Sequence, residues 1–145
     1  MPAAWEVDLT QLESQSASFA FTTPEGKNLA MRALTHSSLS NSFNNTDLAR
    51  VGELAGKAAV TERLFLDKDS KPTGADYNDK LQLFTTARLA AVGRNLRLDQ
   101  VLLKANVPTA SNNMVAQCLC ALFGAVKIAN GQQALLELLD TLGMK

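Results

Sequence analysis

An all-α domain of about six to seven helices is what the sequence predicts, and three observations carry this. Apolar residues recur at the helical spacing of three to four along most of the chain, while the strict alternation of a strand is almost absent. Clusters of Pro, Gly, Asn, Asp and Ser separate these periodic segments, where they start or stop helices. The length, 145 residues, suits one domain with a real core, and residues 1–145 hold no internal repeat, low-complexity tract or second domain.

The elements follow in order. Asp8 or Thr10 is placed to cap a short helix reaching about Ala17, with Leu9 and Leu12 turned inward. The stretch FAFTTPEG then breaks helical character, and Phe19 and Phe21 are expected to plug the core from a loop. A second helix over 27–36, KNLAMRALTH, presents Leu29, Ala33 and Leu34. The polar stretch SSLSNSFNN ends in residues fit to cap the helix over 46–66. DKDSKPTGAD is the clearest exposed connection. A long helix over 76–93 offers Leu81, Phe84, Leu89 and Val92. GRNLRLDQVLL reads as a turn and a short helix, NVPTASNN breaks again, and Ser111 or Asn112 caps a helix over 113–129. Asn130-Gly131 is a helix stop, followed by a last amphipathic helix through Leu135, Leu136, Leu138, Leu139 and Leu142.

Fourteen basic residues balance fourteen acidic ones and the pI is near 6.6, so whole-chain charge gives no argument for a polyanionic partner. Cys118 and Cys120 are too few for a disulfide framework, and two positions apart on a helix they point in different directions. Free thiols in an apolar helix suit a reducing compartment. No run reads as membrane-spanning and no charged-then-apolar leader opens the sequence. The expectation is an intracellular protein with no membrane partner; cytoplasm, nucleus and mitochondrion are equally open.

Two helices have unusual faces. In 46–60, at about 100° per residue, Leu48, Val51, Ala55, Ala58 and Ala59 share an arc that is expected to face a core. Thr46, Ala49, Glu53 and Val60 lie nearly opposite, with Gly52 and Gly56 beside them. Interior glycine costs roughly 1 kcal/mol relative to alanine, so two on one stripe predict the close approach of another backbone. That backbone belongs either to the same monomer or to a second copy across a symmetric seam. The helix over 113–129 is apolar nearly all round, as a central helix is, except for a stripe of Gln117, Cys120, Gly124 and Lys127. His36 is the one histidine and reads as a structural or capping group. The sequence holds no glycine-rich phosphate loop, C-x-x-C pair or histidine cluster with metal-ligand spacing.

Taken in order, these pieces resemble the ribonuclease III domain. LTQLESQSASFAF is similar to the family's opening L-x-x-L-E…F-x-F, and ALTHSS, residues 33–38, to its A-L-T-H-x-S. NNTDLARVGELAGKAAV falls where the family has N-N-E-R-L-E-F-L-G-D-A-V-L. ARLAAVGRNLRLDQVLL resembles L-A-x-x-A-x-x-L-x-L-x-x-x-L-L, and ALFGAVKIANG resembles A-L-I-G-A-I-Y-L-D-G-G. The order holds from about Leu9 to Leu142. The resemblance implies an all-α fold dimerising through the signature helix, a cleft for double-stranded RNA, and two-metal phosphodiester hydrolysis. With the glycine stripe, it places Gly52, Gly56 and Val60 at the expected dimer seam.

The residues depart from that family where the chemistry lies. The signature glutamates fall on Thr46 and Ala49, and the signature aspartate falls on Glu53. The acids of D-x-x-E-A-L-I-G-A fall on Gln117 and Cys120. Two-metal chemistry needs several hard carboxylate oxygens around ions roughly 4 Å apart. Glutamine is a weak Mg²⁺ ligand and cysteine a soft one, which leaves Glu53 as the lone candidate metal ligand. The expectation is therefore a non-catalytic domain without a cofactor, serving as a dimerising structural or binding module associated with RNA or a ribonucleoprotein. Its partners would be a second copy, an active paralogue in a heterodimer, or double-stranded or structured RNA. No double-stranded-RNA-binding segment follows in this sequence, so none is expected to add affinity. Candidate RNA contacts are Lys27, Arg32, Arg50, Lys57 and Arg63, with Arg94 and Arg97 as further local cations. One alternative is an active double-stranded-RNA endoribonuclease using Mg²⁺ or Mn²⁺ at an atypical site of Glu53 with Glu62 or Asp47. Another is a helical protein-interaction domain with no RNA role.

Overall fold

The computed structural model describes residues 4–67, 69, 71–104 and 109–145, with side chains described from Leu9 onward. Among these residues the chain forms eight α-helices: α1 (Ala4–Gln15), α2 (Pro24–Ala33), α3 (Thr46–Leu66), α4 (Gly74–Leu81), α5 (Thr86–Asn95), α6 (Leu98–Val101), α7 (Asn112–Asn130) and α8 (Gln132–Thr141). Short 3-10 turns occupy Ala17–Phe19 and Gln82–Phe84. The all-α expectation holds, and one isolated parallel bridge, Thr35 to Leu103, is the β-type pairing seen among the described residues.

The core is built around α7. Val115, Cys118, Leu119, Ala121, Leu122, Phe123, Ala125 and Val126 are fully buried in it. By length and composition α7 could cross a membrane, contrary to the sequence expectation that no segment could, with mean hydropathy 1.3 over an 18-residue window. In this fold 61% of that window is buried inside the domain, because α3, α5, α2 and α8 pack around it. Leu9, Leu12, Phe19 and Phe21 are buried as expected, the last two from the 3-10 turn and the loop after it. Ser111 caps α7 by accepting from the Met114 N–H, and Gly131 ends it at a φ of 93°, which favours glycine.

Three boundaries differ. The first helix begins by Ala4, so neither Asp8 nor Thr10 caps it. The second starts at Pro24, which takes the first-turn position where its missing N–H costs nothing, and Thr23 caps it. The single helix expected over 76–93 is broken at Thr85, whose extended backbone and hydroxyl cap a new helix by accepting from the Arg88 N–H. That break divides one expected helix in two, so that eight are seen among the described residues against at most seven expected, and the short helix read in GRNLRLDQVLL is present as α6.

The main correction concerns α3. Val51 and Ala58, expected in the core, are exposed, while Gly52, Gly56, Ala49 and Val60 are buried. A Cβ at Gly52 would lie 1.6 Å from the Cys120 carbonyl oxygen, and one at Gly124 would lie 2.5 Å from that of Leu48. The two helices cross backbone to backbone at this glycine pair. At Gly56 the neighbour is the Phe84 ring, 2.5 Å from such a Cβ. Close approach of another backbone is thus real at Gly52, but it comes from α7 of the same chain. Gly52, Gly56 and Val60 do not form a surface seam, because the interior of the monomer already covers them.

The opposite side of α3 carries Val51, Leu54 and Phe65, with Leu66 at its end, 42%, 69%, 73% and 61% exposed. Four large apolar side chains along one 21-residue helix make an apolar outer face that the described residues leave uncovered.

Candidate functional site

The α3–α7 crossing opens beside the glycine pair into a cleft of about 420 Å³. α3 lines it with Thr46, Ala49, Arg50 and Glu53, and α7 with Asn113, Ala116, Gln117 and Cys120. Phe84, from the 3-10 turn before α5, and Thr86 and Leu89, from α5 itself, close it. All five positions singled out in the sequence, Thr46, Ala49, Glu53, Gln117 and Cys120, therefore meet in one place. Helical geometry accounts for this: 46, 49 and 53 repeat at three and four residues on α3, as 113, 117 and 120 do on α7.

Each position has a definite state. Glu53 is held by Lys57 Nζ at 2.9 Å, one helical turn on. Gln117 Nε2 donates to Asn45 Oδ1 at 2.9 Å and to Thr46 Oγ1 at 3.4 Å. Ala49 offers no ligand. Burial pushes the Cys120 thiol up to about 12, the nearby Glu53 carboxylate adds to the rise, and Lys57 opposes it. Cys118, deeper in the core, is also pushed up to about 12, by burial and then by Cys120. Both cysteines are free, neutral thiols at physiological pH.

Asn45 is the organiser that the sequence reading missed. It is completely buried, its N–H donates to the Thr35 carbonyl at 2.9 Å, and its side-chain amide donates to the Ala33 carbonyl at 3.1 Å. Its side-chain oxygen receives Gln117. The end of the ALTH segment, the start of α3 and the wall of α7 are tied together at this residue. NN before a helix reads as capping, and Asn44 does accept from the Thr46 N–H at 3.0 Å, but nothing local announces that its neighbour points inward. Thr86 was missed because it enters from an element distant in sequence, whereas Asn113 stands one turn before Gln117 on α7, where helical period could have pointed to it.

The donor set does not fit a pair of divalent cations. One carboxylate, already ion-paired, stands among two hydroxyls, two amides, a guanidinium, apolar side chains and a neutral thiol. Asp47 and Glu62, considered as substitutes, do not line the cleft: Asp47 is exposed elsewhere on α3, and Glu62 faces a different hollow. Among the described residues no group of three or more His, Cys, Asp or Glu side chains could hold a metal ion.

The candidate RNA-contacting cations separate. Arg50 lines the cleft and Lys57 stands next to it on Glu53. Arg63 pairs with Asp140 and donates to the Leu136 carbonyl. Arg94 is engaged by Asn112 and the Ala110 carbonyl. The Arg32 guanidinium lies 5.2 Å from the Phe43 ring centroid, and Lys27 borders a separate hollow near Phe19 and Phe21. Arg97 sits in a left-handed turn at a φ of 62°. His36 Nδ1 meets the Ser38 hydroxyl at 2.8 Å and accepts from the Ser38 N–H, which fits the structural role expected of it. The larger hollow, about 600 Å³, lies at the far end of α3 among Val60, Leu64, Leu66 and Leu136 and contains none of the five positions.

The family model for ribonuclease-III-like proteins matches residues 26–144. The chain belongs to the ribonuclease-III-like family. Two solved structures of the nuclease domain of ribonuclease III from Campylobacter jejuni are similar in fold. One matches with a TM-score of 0.79 at 24% identity, covering 92% of this chain and 92% of that one. The other, described for structural flexibility in a region involved in dimer formation, matches with a TM-score of 0.77 at 24% identity, covering 91% and 94%. No match was found among curated proteins. The cleft described here is thus a feature of a ribonuclease-III-like fold whose five expected acid positions hold one carboxylate.

Proposed function

We propose that this ribonuclease-III-like domain is non-catalytic and serves as a dimerising, RNA-associated structural or binding module. One observation carries the reading: the five positions converge in one cleft, and the single acid among them is occupied by Lys57. Hydrolysis through two metals depends on negative charge gathered at that point, and the cleft lacks it.

The dimer of this proposal uses the outer face of α3. Val51, Leu54, Phe65 and Leu66 offer an unpaired apolar strip along one helix, which suits contact with its own copy about a two-fold axis. An active paralogue could meet the same strip in a heterodimer. The related Campylobacter structure, with a region involved in dimer formation, supports this choice of occupant. Two buried free thiols fit a reducing intracellular compartment.

Incubating the protein with double-stranded RNA and Mg²⁺ or Mn²⁺ tests the central claim. The expected outcome is no cleavage above a metal-free control. Metal-dependent cleavage abolished by Glu53→Ala would return the domain to the endoribonucleases.

A further inference from the structure

We propose that the cleft seats an RNA phosphate directly on Arg50, with no divalent cation between them. The inference rests on the RNA-associated reading above and adds a site and a mode of binding to it.

Charge comes first. Arg50 is exposed, lines the cleft, and among the described residues forms no ion pair or hydrogen bond. The other charged side chain lining the cleft, Glu53, is matched by Lys57 at 2.9 Å. The Cys120 thiol is neutral, so it adds no negative charge to the floor. Arg50 therefore carries the one uncompensated charge of the cleft. A pocket lined by several carboxylates repels a phosphate until cations intervene. This pocket has the opposite balance and can accept the anion itself.

The donors agree with the charge. Thr46 Oγ1 already accepts from Gln117, which leaves its own proton to donate. Thr86 contributes a second hydroxyl and Asn113 an amide. A guanidinium supported by neutral donors is the arrangement that recognises phosphate oxygens, and arginine can hold two of them at once. The volume of about 420 Å³ leaves room for a sugar-phosphate unit. Thr46, Arg50, Glu53 and Lys57 follow one another at three- and four-residue steps along α3, so this stripe presents the ion pair beside the free cation.

The test measures binding of the full chain to a short labelled RNA duplex by fluorescence anisotropy. Salt is varied, and EDTA is compared with Mg²⁺ at matched ionic strength. The wild type is expected to bind no more weakly in EDTA than in Mg²⁺. Arg50→Gln should weaken binding about five- to tenfold and reduce the slope of log K against log[salt] by about one, the signature of one lost phosphate contact. Arg50→Lys should keep the slope, and Lys71→Gln, in the exposed loop before α4, should match the wild type. Because Arg50 is exposed, the thermal melt of each variant should be unchanged. Wild-type binding abolished by EDTA would overturn the inference. Duplex binding that Arg50→Gln leaves unaltered would also overturn it while the RNA reading stood. Absence of any salt-sensitive binding by the wild type would end both.

Discussion

The side of α3 that faces α7 and the side that opens into the cleft lie within a turn of each other, yet they differ in what they can tolerate. On the first, Gly52 and Gly124 bring two backbones so close that a methyl group has no space. On the second, Thr46, Ala49 and Glu53 border a cavity that would admit larger and more acidic side chains. The ribonuclease-III-like fold depends on the first side, and two-metal chemistry would depend on the second. Packing and catalysis are thus separable demands on a single helix, and meeting one does not require meeting the other.

The sharpest way to break this comparison is to place a methyl group on the packed side. Gly52→Ala should cost about 4 kcal/mol or more, because the obstacle is the Cys120 carbonyl rather than a side chain that can rotate away. Gly74→Ala, where nothing lies within 4 Å of the added Cβ, should change stability by less than about 0.5 kcal/mol. Thermal unfolding followed by circular dichroism measures both. A Gly52→Ala protein that melts with the wild type would mean the two helices are not in backbone contact.

How far each side was legible follows from the same geometry. Helical period identified Gly52 and Gly56 as sites of close approach, but period gives directions around one helix and not the element that fills them. α3 is apolar or small on two sides, so Val51 and Ala58, on one arc with the buried Leu48 and Ala59, read as well for a core as the residues that are buried. Elements with local punctuation were readable: Ser111 before α7, Gly131 after it, and Phe19 and Phe21 between α1 and α2. The Thr85 break was not, because Thr-Thr in an otherwise periodic run is a weak stop. The five cleft positions were found through resemblance, whereas Asn45 and Thr86 become visible only when distant segments meet; Asn113 lies one turn from Gln117 on α7 and was within reach of helical period.

The thiols extend the comparison to the floor of the cleft. Cys118 lies in the core and Cys120 lines the cleft, yet burial holds both at about 12, above the ordinary value of 9.0. Below pH 9 both are protonated in the folded and unfolded states, and their contribution to stability is fully present. Above pH 9 the unfolded chain releases these protons first, so stability is lost as pH rises toward 12, by up to about 1.4 kcal/mol per pH unit for each thiol. Urea unfolding at pH 8, 9 and 10 should show the decline, reduced in Cys118→Ala. Rapid reaction of native Cys120 with a thiol reagent at pH 8 would mean the floor is wet and the comparison fails there.

The outer face of α3 adds a third surface, which neither the described residues nor the cleft covers. Leu54→Asp, at a residue 69% exposed, should leave the monomer's own stability within about 0.5 kcal/mol while shifting sedimentation from dimer to monomer. A wild type that sediments as a monomer at every concentration would remove this face from the argument.

A small structural effect is also expected at Lys57, where it separates folding from binding most cleanly. Its bond to Glu53 is an i, i+4 pair with side chains 36% and 44% exposed, so solvent screens it, and Lys57→Gln should cost no more than about 0.5 kcal/mol. Its effect on RNA should be larger. Without the lysine, Glu53 presents an unmatched negative charge inside the cleft beside Arg50, and a phosphate approaching that arginine meets repulsion. The variant should therefore melt with the wild type yet bind duplex RNA several-fold more weakly, most clearly at low salt, where screening is least. Adding Glu53→Gln to it should restore the affinity, because the charge left unmatched by the first substitution is gone. Equal binding by all three proteins would show that the cleft is not where RNA lies, even though the helix that builds it is intact.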